Sequence, residues 1–373
     1  MKIKKSGSKG GDFEERLRTY FDQSGFFAVR SIPFVFEGDD VSDVDVWLYE
    51  RPNAVSRRRT IIDAKNRQRP KAVERILWLK GFQEGLKAES ALLATTDRRA
   101  SVRRFAASLG VSVLDGEAIE RLINAQALNN SNRLSMDEFY DLLMEVDSQR
   151  GVKEWRPKFD TCKSGLVLHL GFPSANENIE ATKFFLDHAS IAADISKQVA
   201  LRAFFVCAAY ASISLDYAIK DWSFRSLDER QEALKLGLRF GEESNSSTLE
   251  PLRIAIGLVR QYVENGNAIA RQIETRFYEE ARRIPVEILS EFIAKIGTRD
   301  TLFKVGKELD AVGHSNTTVS YENLTVEAKS FVGVLLDYLG ISRKSFAALL
   351  PLRAVSVLTL PADSLPLLDT GQK

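Results

Sequence analysis

Two stretches decide the fold: DVDVWLYE (Asp43 to Glu50) and RTIIDAK (Arg59 to Lys65). Both are rich in β-branched and aromatic residues, and a basic loop from Pro52 separates them, so they read as consecutive strands. Strand side chains alternate between faces. Asp43 and Asp45 therefore share one face, opposite Val44, Val46 and Leu48, and Asp63 shares a face with Lys65, opposite Ile62 and Ala64. If the two strands pair with these faces together, three carboxylates and one ammonium meet in one place. A hydrophobic core has no use for that cluster, whereas phosphodiester hydrolysis does. Oxygen ligands hold a divalent ion, and a cation beside it offsets charge on the pentavalent phosphate.

Reading outward, Phe13, Leu17, Tyr20 and Phe21 recur at helical spacing and Gly25 stops them, which predicts a helix over 12–24. A strand over Phe26 to Phe36 and a Gly38-Asp39-Asp40 turn lead into DVDVWLYE. Downstream come a helix from Pro70 to about Lys87, a strand over Ser90 to Thr96, a helix over Arg99 to Leu109, a short strand over Val111 to Leu114 and a helix from Glu117 to Ala125. The order is αβββαβαβα. Leu128 to Ser135 is polar and aperiodic, a linker by composition. Beyond it helical patterns dominate, at Asn178 to Ala189, Ala192 to Lys220, Asp228 to Phe240, Leu249 to Asn265, Ala268 to Arg283, Val286 to Ile296 and Thr325 to Leu339. Gly165 to Gly171 (GLVLHLG) reads as β-like. The expected organisation is a nuclease domain over 1–127, a linker over 128–135 and a mostly helical domain over 136–373, with a fragment ending near Asn130 expected to fold alone.

A 373-residue chain with 44% hydrophobic and 28% charged residues has ample material for a buried core. The net charge of +1 hides an imbalance: residues 1–126 hold 23 Lys and Arg against 18 Asp and Glu, and the remainder is net acidic. The first part is thus the better partner for a polyanion. Cys162 and Cys207 are too few for a disulfide framework and point to a reducing cytoplasm. The basic start MKIKKSGSKGG has no apolar run behind it and is not a signal peptide. Ala203 to Ile219 contains Asp216 and reads as a buried helix, so no membrane partner is expected.

Motif specificity is set by context. Glu327-Ala328-Lys329 repeats the acid-x-lysine pattern, but it follows Thr325, a natural N-cap, and leads into a helical repeat, so it reads as a helix surface. On the first helix, Glu14 falls at the edge of the apolar face beside Phe21, and Glu15 falls opposite. Trp47, Trp78 and Phe82 fall at apolar-face spacing and are expected in the core. Histidine is absent before His169, which excludes histidine-dependent nuclease chemistry from the N-terminal part, and GxxxxGK[ST] is absent throughout.

The segments GGDFEERLRTYFDQSGF, VDVW, IIDAK and ALLATTDRRASVRRFAASLGVSVLDGEAIERL together resemble, in this order, the Mrr-like branch of the PD-(D/E)XK restriction endonucleases. The resemblance spans about residues 10–124 and implies an α/β fold, a restriction-endonuclease-like αβββαβ core followed here by a C-terminal, mostly α-helical domain. It implies a catalytic set of Glu14, Asp45, Asp63 and Lys65. Asp45, Asp63 and Glu14 would be ligands for Mg²⁺, with Mn²⁺ as a substitute, and Asp43 is the alternative to Asp45. Asp63 stands where Glu is commoner in that branch, and Gln68 or Gln83 would fill the branch's glutamine. Arg57, Arg58, Arg59, Arg67, Arg69 and Lys71 flank the motif and are the expected DNA-phosphate contacts, with Arg98, Arg99, Arg103 and Arg104 as a second set. The expected activity is Mg²⁺-dependent DNA cleavage in bacterial restriction or anti-phage defence. Non-catalytic DNA binding and junction cleavage are the alternatives. The expected partners are DNA, a second copy of the chain and a protein of a defence system.

Overall fold

The computed structural model of the protein describes residues 9–37, 39–65, 71–124, 132–151, 153–192, 194–241 and 249–354. Its N-terminal part is a five-stranded sheet in the order β1-β2-β3-β4-β5: β1 Phe27–Phe36, β2 Asp39–Glu50, β3 Arg58–Lys65, β4 Ser90–Thr95 and β5 Ser112–Leu114. The first three strands are antiparallel neighbours, while β4 and β5 run parallel to β3 through helical crossovers α2 (Ala72–Gly85) and α3 (Ala100–Ser108). The expected α/β core is thus present. β2 begins at Asp39, earlier than the sequence suggested, and takes the expected turn residues Asp39 and Asp40 into the strand. Gly38 and Pro70 lie outside the described residues.

The two faces of the sheet are covered differently. On one, Ala28, Val46, Leu48, Ile62, Ala64 and Ala94 pack against Phe13, Leu17 and Phe21 of α1 (Lys9–Gln23) and Ile119 of α4 (Gly116–Asn124). Phe13, Leu17 and Phe21 recur every four residues, so one stripe of α1 is buried. On the other face, Phe27, Val29, Trp47, Tyr49, Ile61, Ala91 and Leu93 join a hydrophobic cluster that continues without a break into the C-terminal helices.

Those helices are α5 Met136–Arg150, α6 Trp155–Leu168, α7 Phe172–Ile191, α8 Asp194–Ala218, α9 Leu227–Phe240, α10 Leu249–Tyr262, α11 Gly266–Arg282, α12 Val286–Ile296, α13 Thr301–Gly313, α14 Val326–Tyr338 and α15 Arg343–Ala347. The region around α8 from Ile195 to Trp222 has the length and apolarity to cross a membrane, yet its apolar window is wholly buried by surrounding elements, α7 and α13 chief among them. Gly306 and Gly313, seven residues apart on α13, let it lie close: a Cβ on Gly306 would sit 2.8 Å from Ile213, and one on Gly313 2.9 Å from the Arg202 carbonyl. The β-like reading of Gly165 to Gly171 is corrected, because Gly165 to Leu168 form the last turn of α6. A short apolar run fits a buried helix as well as a strand, and Gly165 is the point where α7 comes near, a Cβ there meeting Glu177 and Ser174. Thr325 does cap α14, accepting a bond from the Ala328 N–H, which leaves Glu327 exposed on that helix.

The sheet and the helices are joined by buried polar contacts as well as by apolar ones. Asp216 of α8 is fully buried and accepts hydrogen bonds from Tyr49 Oη (2.6 Å), from Arg57 Nε (2.6 Å) and from Arg51. The remaining guanidinium donors go to the carbonyls of Asn53, Ala54 and Ser56 from Arg57 and of Gly297 and Thr298 from Arg51. Lys163 of α6, also fully buried, donates to the carbonyls of Arg30 and Ser31 (2.8 and 2.6 Å) and to Tyr140 Oη (2.9 Å).

This packing sets an expectation opposite to independent folding of residues up to Asn130. Without the helices, Trp47, Tyr49, Phe27 and Val29 lose their cover, and Arg51 and Arg57 lose their carboxylate. Such a fragment is expected to show no cooperative thermal transition by circular dichroism. In the whole protein, Asp216→Ala leaves two buried arginines uncompensated and is expected to cost about 3–5 kcal/mol in urea unfolding.

A second expectation concerns pH. Burial lowers the pKa of Lys163 to about 7, despite the opposing charge of Asp160. Below pH 7 both folded and unfolded chains hold that proton. Between pH 7 and the ordinary lysine value, only the unfolded chain holds it, so folded stability rises with pH in this window, by at most about 1.4 kcal/mol per pH unit. Urea midpoints at pH 7 and pH 9 are expected to show a rise in the wild type that is smaller in Lys163→Met.

Candidate active site

The ladder between β2 and β3 ends at Val46 opposite Ile62, although β2 extends back to Asp39 and β3 runs on to Lys65. Where the ladder stops, the Asp45 carboxylate takes over. Its Oδ2 accepts from the Ala64 N–H at 2.7 Å and from Lys65 Nζ at 2.8 Å. Lys65 Nζ also lies 3.4 Å from Asp63 Oδ1. Asp45, Asp63 and Lys65 therefore meet at the open end of the strand pair, as the alternation of the two strands requires.

Glu14 reaches the same region from α1. Burial, and then the nearby charge of Asp45, raise its pKa, against Arg30, whose Nε lies 3.0 Å from Glu14 Oε2. Glu15 is not turned to solvent as the helical spacing predicts. It too is partly buried, pairing with Arg18 and lying 3.6 Å from Arg30. Arg30 is buried and gathers Glu14, Glu15 and Asp137 of α5, and together with the buried Arg18, which bonds Glu15 directly, it draws Glu15 inward.

Asp43, the alternative to Asp45, is exposed. It borders the shallow groove that holds Asp45, Asp63, Trp78 and Phe82, and also a cleft of about 760 Å³ toward Tyr140 and Asp160. The hydrogen bonds from Ala64 and Lys65 belong to Asp45.

Electrostatics give each group a state. Burial raises the pKa of Asp45, against the opposing pull of Lys65 and the Ala64 N–H. Lys65 is raised in spite of burial, chiefly by Asp45, which favours its protonated, cationic form. Among the described residues no three His, Cys, Asp or Glu side chains converge as a metal cluster. Mg²⁺, however, commonly takes one or two carboxylates and completes its shell with waters and phosphate oxygens. Two hard carboxylates converging on the single ammonium of Lys65 fit that requirement.

Sequence reasoning missed Arg75. It lies on α2 and grips both oxygens of Asp63, with Nε 2.8 Å from Oδ2 and Nη2 on Oδ1, while its guanidinium sits over the Trp78 ring at 4.2 Å. Its place one helical turn after Lys71 was the available signal. Trp78 is accordingly exposed at the groove, not in the core as expected, whereas Trp47 is buried as expected. Gln83 bonds the Ala88 carbonyl at the far end of α2 and takes no part in the site. Gln68, Arg67 and Arg69 lie outside the described residues.

The expected phosphate contacts need correction. Arg57 is buried on Asp216, and Arg59 is half-buried, held by Glu89 and the Lys87 carbonyl. Arg57 thus serves the seam between sheet and helices, and Arg59 reaches it with its guanidinium 5.1 Å from the centre of the Tyr217 ring on α8. Arg58 is exposed beside Glu50, but Arg57 to Arg59 sit at the start of β3, about 20 Å along the strand from Lys65. Lys71, exposed and paired with Glu74, is at the correct end. So is the second set: β3 and β4 are parallel with Lys65 opposite Thr95, which brings the loop carrying Arg98 and Arg99 to the edge of the site. Replacing Arg98, Arg99 and Arg104 together is expected to flatten the dependence of log DNA affinity on log salt by up to about 0.9 for each phosphate they neutralise. Arg58→Ala is expected to leave that slope unchanged.

Residues 6–123 match the family model of the Mrr catalytic domain, described as a restriction endonuclease. No curated protein and no solved structure shows a significant match. The N-terminal third thus carries a restriction-endonuclease-like nuclease domain.

Proposed function

We propose that the protein is a Mg²⁺-dependent DNA endonuclease, with residues 1–127 as the nuclease unit, 128–135 as a linker and 136–373 as the part that engages a second copy or a partner protein. The single observation that carries this reading is the meeting of Asp45, Asp63 and Lys65 where β2 and β3 part. A bacterial restriction or anti-phage role in the cytoplasm agrees with the matched family and with two free buried thiols, Cys162 and Cys207.

In this reading Asp45 and Asp63, with Glu14 behind them, would hold the ion, and Mg²⁺ so bound would supply a Lewis acid for the phosphate and the attacking water. The Ala64 N–H fixes the direction of the Asp45 carboxylate. Lys65 keeps its proton on Nζ and presents positive charge to the phosphate as negative charge builds on its oxygens. The 98–104 arginines hold the flanking backbone in register. A second reading, DNA docking without cleavage, draws support from the occupied state of Asp63, both of whose oxygens are bonded to Arg75.

Supercoiled plasmid separates the two. Nicking or linearisation in Mg²⁺, lost in EDTA and lost in Asp63→Ala and Lys65→Ala with folding intact, is the expected result. Binding without strand breakage under both conditions favours the docking reading. In calorimetric Mn²⁺ titration, Asp63→Ala is expected to lose affinity and Lys65→Ala to retain it, because one removes a charged ligand and the other removes a cation.

A further inference from the structure

We propose that Arg75 is an exchangeable latch: it competes with a divalent ion for Asp63, yields that carboxylate when the ion binds, and passes its guanidinium to a DNA phosphate beside the cleavage point. The proposal deepens the nuclease reading and rests on it.

The geometry carries it in three steps. First, the Asp63 side chain is only 3% exposed, and its two oxygens take the bidentate fork of Arg75, with Lys65 Nζ at 3.4 Å as the remaining cation nearby. A divalent ion at Asp63 needs an oxygen whose lone pairs point at it, so ion and guanidinium compete for the same acceptors. Second, Arg75 is not locked in place as a structural buried arginine is. Its side chain is 32% exposed, and the flat face of Trp78, itself 38% exposed, supports the guanidinium at 4.2 Å from the ring centre. Release from Asp63 leaves that stacking platform intact, so the freed group stays at the rim of the groove. Third, the chemistry of the fork suits the next acceptor. Planar paired N–H donors match a phosphate as they match a carboxylate. Lys71, one turn earlier and 76% exposed, extends the same cationic edge. Contrast Arg57, whose carboxylate is sealed at 0% exposure and whose other donors end on backbone carbonyls. That arginine has nowhere to go; Arg75 has.

The test uses the full chain and two variants, Arg75→Ala and Arg75→Lys, with circular dichroism to confirm folding. In calorimetric titration with Mn²⁺ and no DNA, Arg75→Ala is expected to bind the ion several-fold more tightly than wild type, since the competitor for Asp63 is gone. DNA binding is then followed by fluorescence anisotropy over a salt series. In Ca²⁺, Arg75→Ala is expected to bind more weakly, with a salt slope shallower by about 0.9, the effect of leaving one phosphate without its cation. In EDTA its DNA affinity is expected to equal that of wild type. Unchanged or weaker Mn²⁺ affinity in folded Arg75→Ala overturns the latch and leaves Arg75 a support for Asp63. An equal drop in DNA affinity with and without the ion overturns the exchange. If Arg75→Ala does not fold, Arg75→Lys decides, because it keeps the charge but not the fork and is expected to bind Mn²⁺ more tightly than wild type. Wild type that binds no Mn²⁺, or binding that Asp63→Asn leaves unchanged, removes the nuclease reading and the latch with it. Wild-type binding abolished by Asp63→Asn but not tightened in either Arg75 variant removes the latch alone.

Discussion

Asp216 is the point on which the arrangement of the whole chain turns. A carboxylate at zero exposure on the central helix is tolerable only if its charge is answered, and the answer comes from the sheet, more than 150 residues earlier in the chain, from Arg51, Arg57 and Tyr49. The same is true in reverse: burial lowers the pKa of Arg51 in spite of Asp216, so that guanidinium also depends on its partner. Apolar packing could slide by a residue at modest expense. Three donors converging on one carboxylate fix the register of β2, of the loop before β3 and of α8 together.

That register reaches the site. With Tyr49 anchored, Asp45 lies four residues earlier on the same face of β2, where the ladder with β3 has ended and the carboxylate can turn to the Ala64 N–H. At the other border, Lys163 holds the carbonyls of Arg30 and Ser31, the latter in the left-handed region at φ 53°, and Arg30 binds Glu14 across from Asp137. Two anchors from the helical part thus bracket the strand that carries Asp45 and the helix that carries Glu14. Burial is the largest influence on both Glu14 and Asp45 and raises the pKa of each.

Much of this was legible in the chain. Period-two alternation placed Asp45, Asp63 and Lys65 on common faces, and the four-residue recurrence of Phe13, Leu17 and Phe21 located α1. What local pattern could not supply was the partner of each charge. Arg57 looks like a surface cation because no acid lies within five residues of it in sequence; its carboxylate is 159 residues away. Glu15 looks solvent-facing on a helical wheel, and its turn inward is explained by the buried arginines around it, Arg18 first and then Arg30. Arg75 is an ordinary helical arginine until the fold brings α2 over the end of β3. GLVLHLG misled because apolarity without period does not separate a strand from the last turn of a buried helix.

The buried seam has a bearing on how such a protein can change over generations. A nuclease unit attached by an exposed tether could be recombined freely with new C-terminal parts. Here, exchange of the helices strands Arg51 and Arg57 at once and uncovers the Arg30 and Ser31 carbonyls, while exchange of the sheet strands Asp216 and Lys163. Relatives that keep one half are therefore expected to keep the other or to replace all of these positions in concert, and chimaeras joined at residue 130 inherit unanswered buried charges from the first generation onward.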